Sequence, residues 1–260
     1  MKTFNIHRFG KVLKWTIYYN KSTLTKITLG FFIAFLAIYL LGTNLFFSSS
    51  ISSPDRLNSA AGVTFGIFLV FLFLTPSWIL SNMKNRKSSL DYLMLPATNL
   101  EKFLARIIMV TVFYALCVVV AQIAADLIQW IVSMFRYPVS QTGLISTDIL
   151  ENHYISFDWY AGGFKSCYER GSILVLIWMI WMHSVYTLGG TVFRKCAWIV
   201  TSFLLLVLGI IVAWSDFEIA LMDEGVIITL MFLVFAGLNY FLSYKIFSRI
   251  QLINNRWVNL

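Results

Sequence analysis

The sequence predicts an all-α polytopic membrane protein with six transmembrane helices and both termini on the cytoplasmic side. Hydropathy is the first reason. Residues 27–47, 60–80, 104–134, 172–190, 197–214 and 226–244 are apolar and long enough to cross a hydrocarbon core of about 30 Å as helices. Charge is the second. Of the 20 Lys and Arg residues, all but Arg56, Arg136, Lys165 and Arg170 fall on the N-terminal arm, the second and fourth connections and the tail. Basic residues are retained on the cytoplasmic face, which places those segments inside. The acidic residues mirror them: Asp216, Glu218, Asp223 and Glu224 cluster in one outer loop.

Six spans in 260 residues leave little chain for anything else, so residues 1–260 read as one transmembrane domain. It carries an arm at 1–26, a cytoplasmic elbow at 81–98 and an outer loop at 137–171, too short to build a core unaided. The net charge of +8 flanks helix ends, where it sets topology and meets anionic lipid headgroups. It does not point to nucleic acid. Cys117, Cys167 and Cys196 fall at different depths, so no disulfide framework is expected. The first apolar run starts late, is long enough to span and lacks a small-residue cleavage pattern, so no cleaved leader is expected.

The arm has apolar residues at Ile6, Phe9, Val12, Leu13 and Ile17, with Arg8, Lys11 and Lys14 elsewhere on the wheel. That period, with Trp15, Tyr18 and Tyr19, predicts an amphipathic helix lying in the headgroup plane. The elbow follows the second span. A basic stretch leads into a short amphipathic segment, 89–95, with Leu90, Leu93 and Met94 on one side. Pro96 ends that helix. Thr98 and Glu101 then form an S/T-x-x-E capping box, so a new helix starts at Asn99 and runs unbroken through the third span. A short helix, a proline break and a capped long helix make a rigid elbow suited to protein contact.

The third span holds Asp126, with Gln122 and Gln129 a turn to either side on one face. Two readings stand: a functional polar face, or a helix–helix or interfacial contact. His183, in the fourth span near Trp178 and Trp181, is open to the same alternatives, a proton relay or a hydrogen bond to a neighbouring helix. Gly189 and Gly190 lead into a tight basic turn at 191–195. The acids and His153 of the outer loop have no ligand spacing, so no metal is expected. The sequence has no G-x-S-x-G, no H-E-x-x-H, no second Asp within a span and no phosphate-binding G-x-x-x-x-G-K-[ST]. The chain therefore reads as no enzyme, without cofactors of its own.

The elbow's Leu95-Pro96-Ala97-Thr98-Asn99-Leu100-Glu101-Lys102, with six spans and an interfacial arm, resembles the permease subunits of type-2 ATP-binding-cassette exporters. The resemblance implies a multi-pass subunit of the bacterial inner membrane, paired with an identical or different permease. It also implies a separate ATPase subunit that holds ATP and Mg²⁺. Carried over, the elbow becomes the coupling helix, with Leu90, Asp91, Tyr92, Leu93, Met94, Leu95 and Pro96 as contacts for that ATPase. The family's larger outer element lies between spans five and six, whereas here the long outer loop follows span three, so no outer-gate residues carry over. The alternatives are a membrane assembly or regulatory protein and a proton-coupled carrier using Asp126 and His183.

Overall fold

The computed structural model describes residues 4–42, 53–83, 86–136, 144–148, 168–193, 195–214 and 225–249. Helix α1 (Ile6–Tyr19) is separated from α2 (Lys21–Gly42) by a turn at Asn20. Helix α3 (Ser53–Leu74) tightens into a 3-10 turn, Thr75–Trp78, where Pro76 removes an amide donor. A second 3-10 turn, Ser81–Met83, leads to α4 (Arg86–Leu93) and α5 (Asn99–Ile108). A π turn, Met109–Phe113, joins α5 to α6 (Tyr114–Arg136). Helices α7 (Ile145–Asp148), α8 (Tyr168–Val192), α9 (Ala197–Trp214) and α10 (Gly225–Ser248) complete the chain, with no β-strand among the described residues.

Among the described residues four helical stretches are long and apolar enough to cross a membrane: Lys21–Leu41, Ser59–Trp78, Asn99–Phe135 and Thr229–Ser248. Helices α8 and α9 lie where spans four and five are expected. Outward-facing residues include Phe203, Leu206 and Ile211 on α9 and Leu230, Val234 and Leu238 on α10, each at least half exposed. Patches this apolar need lipid rather than water around them. The chain is an all-α, membrane-embedded protein. The expected end of span one, most of the outer loop and the loop at 215–224 lie outside the described residues.

The chain forms two compact units. The first comprises Met1–Ile17, Leu72–Thr111 and Phe164–Leu260. Within it α8 packs most extensively on α10, and α8 also meets α9 and the 3-10 turn at Pro76. The glycine pair is part of this packing rather than a lead-in to a turn, because α8 continues to Val192. A Cβ on Gly190 would lie 2.7 Å from the Ser77 backbone, and one on Gly189 would lie 1.9 Å from Thr201 Oγ1. Small residues let helices approach this closely where lipid supplies no hydrophobic drive. In the same unit Ile79, Tyr92, Phe103 and Phe247 form a buried cluster, flanked by Trp15, Leu95 and Tyr244.

The second unit comprises Tyr18–Phe71 and Val112–Gly163, with α2 laid along α6. Its interior alternates large rings with small residues. Phe35 and Tyr39 on α2 are buried, as are Ala60, Ala61 and Thr64 on α3 and Ala121 and Ala125 on α6. Phe31 meets Phe71 edge-on, with ring centroids 4.6 Å apart.

Candidate functional site

The elbow is held by one carboxylate. The Thr98 hydroxyl accepts from the amide of Glu101 at 3.3 Å, and Glu101 Oε2 accepts from the amide of Thr98 at 3.0 Å. This is the capping box that the Thr98–Glu101 spacing predicts, and it fixes the start of α5 at Asn99. The same carboxylate also takes Arg8 of α1 in a two-point fork, Nε to Oε2 and Nη2 to Oε1, both at 2.6 Å. The amide of Asn5 donates to Oε1 at 2.8 Å. An ionised carboxylate has about four acceptor sites, and here all four are filled.

Glu101 belongs to the first turn of a helical run of 37 residues, about 55 Å long, which exceeds the hydrocarbon thickness. In sequence the carboxylate precedes the apolar run, which starts near Leu104. The Arg8 hydrogen bonds, helped by the Asn5 and Thr98 amides, outweigh burial and hold its carboxyl down at about 2, and Arg8 is raised in return. A lowered carboxyl stabilises the docked state fully above its unfolded pKa of about 4.3 and loses that contribution as pH falls toward 2. Amide-exchange protection across α1 should accordingly hold from pH 7 to 5 and decline between about 4.3 and 2. A flat profile down to pH 2 would mean that the ion pair does not hold α1.

A reciprocal pair braces the break at Pro96. The Lys102 ammonium donates to the Leu93 carbonyl at 2.8 Å, placing a cation on the last turn of α4. The Tyr92 hydroxyl donates to the Lys102 carbonyl at 2.7 Å. Trp15 of α1 packs on Tyr92 with ring centroids 6.0 Å apart, giving α1 a second hold on the elbow.

The residues carried over as partner contacts separate by face. Leu90, Asp91, Met94 and Pro96 are exposed, Met94 at 79%. Leu93 and Leu95 are half-buried and line an open groove of about 660 Å³ with Pro96, Asn99, Phe4 and Tyr244. Tyr92 is a correction: it is buried in the chain's own core and presents no outer surface. The face of α4 turned inward is Ser89 and Tyr92, and the Ser89 hydroxyl donates to the Met83 carbonyl. The short helix and the turn after it thus bury a serine and a tyrosine and expose a leucine and a methionine, the reverse of what folding alone favours.

Sequence reasoning missed Arg106. It is buried, donating from Nε to the Ile79 carbonyl at 2.9 Å and from Nη2 to the Trp78 carbonyl at 3.3 Å and to Ser81 Oγ at 3.0 Å. The sequence counts it only as one more cytoplasmic charge. Arg8 is also unlike the wheel assignment, since it lies along the buried edge of α1 with Val12 and Thr16, while Ile6 is exposed.

The polar residues of the apolar helices bond to partners within their own units. Asp126 accepts from the amides of Ile145 and Ser146, each at 2.9 Å, and from the Ser146 hydroxyl, so it caps the short α7. Gln129 is buried one turn away, and Gln122 is half-buried. His183 Nδ1 is 2.7 Å from the Tyr240 hydroxyl, and Asn239 donates to Ser184 at 3.1 Å, forming a polar seam between α8 and α10. Asp126 and His183 belong to different units.

Comparison with known proteins identifies no relative. No protein-family description, curated protein or solved structure matches the sequence. The functional reading rests on the site itself.

Proposed function

We propose that this chain is the permease subunit of an ATP-binding-cassette exporter, working as a dimer in a bacterial inner membrane. One observation carries the reading. The elbow exposes Leu90 on a helix whose opposite face is locked to the rest of its unit, and Met94 in the turn that follows it. An apolar ridge on a braced support suits a partner that pushes. The partner is a separate ATPase, which holds ATP and Mg²⁺. Its closure on ATP displaces α4, and the helical run from Asn99 carries that displacement into the third span. The six-span topology with both ends inside belongs to this proposal.

Met94→Asp tests it with little effect on folding, because the side chain is 79% exposed. The tagged variant, purified from native membranes in mild detergent, should retain its thermal midpoint and lose roughly ten-fold or more of a co-purifying Walker-type ATPase. Undiminished recovery of that ATPase, or recovery of none by the unmodified protein, would sink the docking hypothesis. In the second case a regulatory or assembly role for the same ridge moves ahead.

A further inference from the structure

We infer that α1 is a lipid-binding strap whose exposed Lys11 and Lys14 take the headgroups of acidic phospholipids. This is independent of the transporter reading. Three sectors of α1 have three different surroundings. The first faces the protein, with Arg8 on Glu101 and Val12 and Thr16 buried. The second is apolar, with Ile6 exposed and Leu13 and Ile17 half-buried. The third is basic, with His7, Lys11 and Lys14 exposed, along with Tyr18. At about 100° per residue the third sector spans roughly 60° of arc, and the sector centres are about a third of a turn apart. A helix with one side on its protein, one apolar side and one cationic side fits the boundary between acyl chains and headgroups.

Charge selects the occupant. The first acidic residue in the chain is Asp55, so the arm carries no acid of its own. Among the described residues the ion pair of α1 is Arg8 with Glu101, made on the protein-facing side, and it leaves the two lysines pointing away. Depth agrees with charge. Lys14 is only seven residues along the chain from Lys21, where the first apolar helix begins. That keeps the ammonium groups at headgroup level, where a negatively charged leaflet attracts each basic residue by enough to change affinity about five-fold.

The test is native mass spectrometry of the full chain in mild detergent, titrated separately with phosphatidylglycerol and phosphatidylcholine. The unmodified protein should retain phosphatidylglycerol preferentially, and K11Q/K14Q should lose about five-fold in apparent affinity for each lysine removed. K11R/K14R should restore retention, and K195Q, at another basic turn, should leave it unchanged. An unchanged thermal midpoint in K11Q/K14Q shows that the variant is folded. Equal retention by K11Q/K14Q and the unmodified chain would overturn the inference. So would an equal loss in K195Q, which would make the effect one of net charge. Unchanged lipid retention with loss of a co-purifying protein would also overturn it and assign the face to a protein partner.

Discussion

Gly190→Ala is expected to lower the thermal midpoint of the purified protein, although alanine is the better helix former by about 1 kcal/mol. Helix propensity and packing predict opposite signs here, so the measurement discriminates. An added Cβ would lie 2.7 Å from both Cα and the carbonyl oxygen of Ser77. Those atoms are backbone and cannot rotate out of the way. Overpacking of this kind costs about 1–3 kcal/mol, and a contact with main chain belongs at the upper end. The net loss should be about 2 kcal/mol. Gly209 and Gly237 supply the control, because an added Cβ there meets nothing within 4 Å. Gly209→Ala and Gly237→Ala should be neutral or stabilising by up to about 1 kcal/mol. If Gly190→Ala behaves as they do in detergent-phase melting, the close approach of α8 to the Pro76 turn is not limiting.

Arg106→Met should be at least as damaging. The guanidinium is 1% exposed and completes the ends of two main-chain segments at Trp78 and Ile79. These carbonyls close the 3-10 turn and the turn after it, where helix-end carbonyls carry partial negative charge. Methionine fills the volume and supplies no donor. Each carbonyl left buried without a partner costs about 1–3 kcal/mol, so a loss of about 3 kcal/mol or more is expected. Arg106→Lys should recover only part, since a single ammonium cannot reproduce a fork that spans Ile79, Trp78 and Ser81. Amide exchange at residues 79–83 should rise in the methionine variant. A midpoint unchanged from that of the unmodified protein would show that water satisfies these carbonyls instead.

The parts of the elbow that the sequence makes legible are those decided within a few residues. The proline break and the Thr98–Glu101 box depend on spacings of five or fewer, and both are formed. What is not legible depends on distance along the chain or on solvation. Arg8 reaches Glu101 across 93 residues, and nothing in either local pattern names the other. Asp126 finds its donors about twenty residues ahead, in a segment whose four-residue helix leaves no periodic trace. A carried-over motif names Tyr92 as a partner contact because it assigns positions, whereas burial is assigned by helix face. Arg106 shows the same limit for charge: counting cations predicts topology but not which cation is buried on carbonyls. The helix pair α8–α10 was visible as two apolar runs, while its His183–Tyr240 and Asn239–Ser184 pairing required the register of both helices.

The π turn at Met109–Phe113 gives the third span a property beyond length. Relative to an α-helix, a π turn accommodates one extra residue, and one residue is worth about 100° of azimuth. A face read from the capped start at Asn99 at 100° per residue therefore does not extend through those five residues unchanged. Gln122, Asp126 and Gln129 share one face within α6, beyond that turn. Between its anchored end and its polar stripe the span contains a rotational vernier. A change in winding there turns the stripe about the helix axis without lengthening the rod by more than about a residue's rise.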